Sequence, residues 1–123
     1  MNALSNDMNV SDNLTSQSLL GLFELDSTGK ILYSKVESGG IFDNRKTALA
    51  GLNFYDEVAP FKNVGEFRRH LDQFAGGGAS VDKFDFVCRF DDGNEQVKVK
   101  LVRVSEREYD GCAKLTIVDI RKV

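Results

Sequence analysis

The 123-residue chain contains no tryptophan, one proline, one histidine and two cysteines, and each scarcity narrows what it can do. With His70 as the sole imidazole there is no Ser-His-Asp order and no H-E-x-x-H pair, and no G-x-x-x-x-G-K-[ST] string is present, so an enzyme is not expected. Cys88 and Cys112 lie far apart, with no C-x-x-C and no flanking histidine. A metal site or redox pair therefore has no spacing to support it, and two reduced, half-buried thiols are expected. No apolar run approaches the ~20 residues that span a bilayer, and the opening residues MNALSNDMNVSDNLT lack the cationic and apolar regions of a secretory signal. A cytoplasmic location is the expectation. The net charge of −3 arises from scattered charges of both signs, without a basic stripe, so neither nucleic acid nor an anionic membrane is an expected partner.

What is present is enough apolar material, 41% of residues, for one core and too little chain for two. Residues 1–10 are rich in Asn, Ser and Asp and read as a flexible tail, with residues 11–123 as a single domain. Ser11 is a fitting N-cap and Asp12 suits a first turn, which predicts a short helix burying Leu14, Leu19 and Leu20. Gly21–Leu25 and Ile31–Val36 are apolar runs of strand length around the turn-rich Asp26-Ser27-Thr28-Gly29-Lys30, a hairpin. Residues 37–50 show no clean period and predict short helical turns.

Asn63 followed by Glu66 has the spacing of a capping box, and Phe67, Leu71 and Phe74 follow at i, i+4 and i+7 before Gly76-Gly77-Gly78. This predicts a helix with those glycines as its C-terminal stop. A phosphate-binding loop would instead place its glycines before a helix. Phe84, Phe86, Cys88 and Phe90 alternate, as do Val97, Val99 and Leu101, on either side of Asp91-Asp92-Gly93-Asn94, and a last run spans Ala113–Ile120. Two strands, a helical middle and three strands imply an α+β domain: a five-stranded antiparallel sheet with its helices on one face.

The densest stretch is GLNFYDEVAPF, residues 51–61. Phe54 and Val58 are spaced to share a buried side of a short turn that Pro60 ends. This string resembles the G-x-N-F-F-x-x-V-A-P-C signature of the photoactive yellow protein family of PAS domains, and the resemblance runs from about Leu19 to Val99. It implies the PAS fold and a place in bacterial signal transduction. It also implies a comparison of sites, because that family binds p-coumaric acid as a thioester on the final cysteine and holds the phenolate with Tyr, Glu, Thr and Arg. The corresponding positions here are Phe61, Ser34, Ser38, Phe42 and Asn44, none of which keeps the family residue.

Without the nucleophile and the phenolate's partners, the chain is expected to carry no such cofactor. Phe42, Phe54, Phe61, Phe84 and Phe86 would crowd the family's pocket, either as plain core or as the wall of a small apolar ligand site with Ser34, Ser38 and Asn44 as polar handles. Haem is the weaker form of that alternative. The haem ligand of PAS sensors would fall near Phe67, whereas His70, beside Arg68, Arg69 and Asp72, reads as a solvated helix-surface residue. The leading expectation is a stand-alone interaction module, a homodimer or the partner of a separate signalling protein. It would associate through Leu14, Leu19 and Leu20 and an outer sheet face carrying Val87, Val102, Val118 and Ile120 among Lys98, Lys100 and Arg103.

Overall fold

A computed structural model describes residues 18–43, 48–108 and 111–123, with only the backbone of 105–108 and 111–113. Five strands form one sheet: β1 (Leu19–Leu25), β2 (Ile31–Val36), β3 (Val81–Phe90), β4 (Gly93–Glu108) and β5 (Gly111–Lys122). Their spatial order is β2-β1-β5-β4-β3, every neighbouring pair antiparallel. Between β2 and β3 lie a single π-helical turn, Phe54–Val58, and one helix, α1 (Val64–Gly76). No helix among the described residues is long and apolar enough to cross a membrane.

The core follows from the alternation of the strands. Phe23, Leu25, Phe86, Cys88, Val97, Val99, Leu101, Val118 and Ile120 are buried on one sheet face, against Phe67, Leu71 and Phe74 of α1 and against Phe54 and Val58. The i, i+4, i+7 stripe of α1 is thus the buried one, as its spacing predicts. The turn at Phe54–Val58 is wider than expected: the Ala59 N–H reaches the Phe54 carbonyl at 2.8 Å, an i→i+5 bond that sequence spacing does not reveal.

Pairing register corrects four interface expectations. Val118 lies directly opposite Leu101, and Ile120 opposite Val99. Opposed residues share a face, so both belong to the core, 0% and 1% exposed, rather than to the outer surface. The run Ile117-Val118 breaks strict alternation, and only the partner strand decides which of the two points inward. The outer face of β5 instead carries Leu115 and Ile117, opposite Val104 and Val102. Leu19 and Leu20 are not helical but open β1; the register shifts between Leu19 and Gly21, and Leu20 is buried there. Leu14 and the predicted helix from Ser11 lie outside the described residues.

Arg103, expected on the outer rim, shares the inward side with Thr116. Its guanidinium donates to the carbonyls of Phe74, Ala75, Gly77 and Ala79 and lies 5.2 Å from the Phe74 ring centroid. No basic residue occurs in the last turn of α1, so a strand supplies the cation that its carbonyl end favours.

The capping box is corrected as well. Asn63 caps α1 by position but makes no side-chain bond to the helix backbone. Its amide donates to Glu66 and to the Val87 carbonyl at 2.8 Å, while its Oδ1 accepts from the Arg89 N–H at 3.1 Å. Asn63 thereby pins the start of α1 to β3. At Asn53 the capping is local: its Oδ1 accepts from Tyr55 and Asp56, and its own N–H donates to Glu57.

Candidate functional site

The residues expected to line a pocket form a chain of touching rings. Phe61 is 3% exposed, with the centroids of Phe42, Phe67 and Phe86 at 6.3, 5.6 and 5.7 Å. Phe54 meets Phe23 at 4.9 Å and Phe67 at 5.7 Å, and Phe23 meets Phe42 edge-on at 5.1 Å. Such separations are those of packed aromatic pairs. Separate segments deliver these rings: β1 brings Phe23, the loop after β2 brings Phe42, the π-helical turn and the residue after Pro60 bring Phe54 and Phe61, α1 brings Phe67 and β3 brings Phe86.

Of the polar handles, Ser34 alone is placed on the sheet face that carries this cluster. Ser38 is exposed in the turn that follows β2, contrary to expectation. Ser34 is half-buried opposite Phe23, and Asn44 lies outside the described residues. The rings themselves are apolar, and the Ser34 hydroxyl is the one described handle on their face, in place of the acidic partners a buried phenolate needs.

Phe84 is only half-buried, and its outer side is covered by His70, stacked at 4.2 Å and 10°. His70 is thus not the freely solvated residue expected from its charged neighbours; it is a half-buried ring that also meets Phe86 edge-on at 6.1 Å. Four residues along α1, Glu66, Arg69, His70 and Gln73, face Asp85, Phe86, Val87 and Arg89 of β3 across a groove of about 420 Å³. Sequence reasoning missed this groove, because nothing in the helix pattern says which strand α1 lies beside.

Burial pushes the Cys88 thiol up from 9.0 to about 12, with the Glu95 carboxylate adding to it. Cys88 is consequently a protonated, poor nucleophile and unsuited to carry a thioester. The Tyr55 phenol is likewise pushed up to about 12, first by burial and then by the Asp72 charge, against the opposing pull of Arg68. Both groups keep their proton in the folded protein at pH values where the unfolded chain has lost it. The stability they contribute is whole below about pH 9 and is lost as the pH rises toward about 12. Urea melts at about pH 8 and about pH 11 should show a lower midpoint at the higher pH; an unchanged midpoint would mean that both anions form in place without cost.

Among the described residues no three His, Cys, Asp or Glu side chains come together as a metal site. An antiparallel sheet of this order, with its helical segments inserted between β2 and β3 and packed on one face, defines a PAS-type α+β domain. No protein-family model matches the chain. It is 30% identical over 93 residues to the photoactive yellow protein of Halochromatium salexigens, an overlap covering 76% of this chain and 73% of that protein. The chain belongs to the photoactive yellow protein family.

Proposed function

We propose that this domain is a PAS-type signalling module that works by protein–protein contact rather than by p-coumaric acid photochemistry. The observation that carries the reading is Phe61, which ends the GLNFYDEVAPF string where the family has its chromophore cysteine and is enclosed by Phe42, Phe67 and Phe86. A ring there supplies no sulfur for a thioester and occupies space a chromophore would need. Cys88 does not substitute for it, being on β3, buried and protonated.

The surface proposed for contact is the outer sheet face. Val81, Val87, Val102 and Ile117 form its apolar part, with Lys83, Lys98 and Lys100 around them. Val81 and Val87 are 47% and 40% exposed, which is where an apolar contact between two sheets would gain most. A second copy of the chain is the proposed occupant, within a bacterial signalling system.

The purified protein should be colourless, and native mass spectrometry should give a dimer of unmodified chains. Phe61→Cys treated with an activated p-coumaroyl ester should become acylated without a photocycling visible band, because Ser34 and Ser38 cannot hold a phenolate. A red-shifted, photocycling adduct would overturn the account of the pocket. A monomer, or a chain carrying a bound small molecule, would overturn the contact reading in favour of a separate partner or of a ligand sensor.

A further inference from the structure

The strand at one edge of the sheet, β3, is long, regular and open along part of its length. Its even-numbered residues bond to β4: the ladder continues from Arg103 N–H to the Ser80 carbonyl, and Phe84 and Phe86 lie opposite Val99 and Val97. The odd-numbered residues therefore direct their backbone groups away from the sheet. At Arg89 these are satisfied, since the Arg89 carbonyl accepts from Lys62 N–H at 2.8 Å and its N–H donates to Asn63. The Val87 carbonyl is taken by the Asn63 amide. Beyond that point the cover stops. The N–H and C=O of Asp85 and the N–H of Val87 have no partner among the described residues.

These free groups border the groove beside α1, whose floor is the His70 and Phe86 rings. Its lining carries two carboxylates and two guanidinium groups, and it is the carboxylates that already have partners. Asp85 is engaged by Lys98 at 3.4 Å, and Glu66 accepts from Asn63 at 2.9 Å. The guanidinium groups of Arg69 and Arg89 have no carboxylate partner among the described residues. An edge with unpaired amides, an aromatic floor and two uncommitted cations together specify an occupant.

We propose that the groove between α1 and β3 binds an extended, acidic segment of a partner protein, which adds to β3 as a sixth strand. Its backbone bonds to Asp85 and Val87, an apolar side chain rests on His70 and Phe86, and its carboxylates meet Arg69 and Arg89. Main-chain bonds supply affinity in such strand addition and alternate side chains supply selectivity. The opposite edge, β2, is six residues long, has a register irregularity in its pairing with β1, is covered at Ile31 by Gly51 and Leu52, and has no helix with free cations beside it among the described residues. The site uses the backbone edge of Val87, whose side chain belongs to the outer sheet face, and does not depend on self-association there.

The test is an amide-resolved NMR titration of the full chain with a short synthetic peptide of glutamate and valine that presents glutamate on both faces of a strand, alongside its lysine–valine counterpart and a backbone N-methylated copy. The acidic peptide should shift the Asp85 and Val87 amides and slow their exchange with solvent, while the other two should not. Arg69→Ala with Arg89→Ala should weaken binding roughly tenfold with the spectrum of the fold unchanged, the scale expected for losing two charge-assisted contacts. Asp85→Pro, which removes an outward donor that the ladder with β4 does not use, should abolish it. Shifts centred on Lys100 and Val102 would place binding on the outer face and overturn the proposal. Equal binding of the N-methylated or lysine peptide, or no saturable binding, would overturn it as well.

Discussion

Phe54→Ala should destabilise the protein by about 3–5 kcal/mol, the range for deleting a fully buried ring from a core that cannot close over the gap. Phe54 is 0% exposed and lies against four other rings, with Phe23 at 4.9 Å, Phe67 and Tyr55 at 5.7 Å and Phe42 at 6.1 Å. Those rings come from β1, α1 and two loops, so no single segment can shift to fill the space without dragging another. The backbone bond that closes the π-helical turn uses the Phe54 carbonyl and survives the substitution, which makes the loss one of packing alone. Urea denaturation reads it directly as a lowered midpoint with an unchanged slope. A loss below about 1 kcal/mol would mean that the ring cluster is loosely packed and that the domain retains a usable cavity.

Gly29→Ala should cost roughly 3 kcal/mol or more, from two separate sources. Gly29 has φ +94°, which a residue with a Cβ adopts only under strain, and that Cβ would stand 2.6 Å from Cε2 of Tyr55. The same glycine accepts the Phe54 N–H at 2.8 Å, so a shift to relieve the clash would disturb the central turn. Gly51 provides the internal control. Its φ is +91°, yet a Cβ there would meet nothing within 4 Å, so Gly51→Ala should cost only about 1–2 kcal/mol of backbone strain. Thermal melts of the two variants separate the contributions. Equal losses would show that Tyr55 turns aside freely and that the contact carries no energy.

The aromatic cluster was legible in the sequence to an unusual degree because its members sit in patterns with a physical period. Phe67, Leu71 and Phe74 mark a helix stripe, Phe84, Phe86 and Cys88 a strand face, and Phe54 and Val58 a turn; all but the half-buried Phe84 are buried. Composition and strand spacing likewise sufficed for the five-stranded antiparallel sheet. Ser38 shows the limit, since a residue between regular elements has no period to orient it. Only the turn that follows β2 decides that Ser38 faces solvent.

Local patterning in this chain determines which residues are apolar on one side of their own segment, since side-chain direction within a strand or helix is set by the backbone period alone. Relations between segments are another matter. That Val118 rather than Ile117 enters the core was decided by the register of β5 on β4, and that Arg103 holds the end of α1 by how far β4 runs past the helix. That Asn63 bonds across to β3 rather than to its own helix depends on a strand more than twenty residues away in the chain. The groove beside β3 exists for the same reason: its two walls come from α1 and β3, each unremarkable in sequence, and only their packing brings Arg69 and Arg89 to the same open edge.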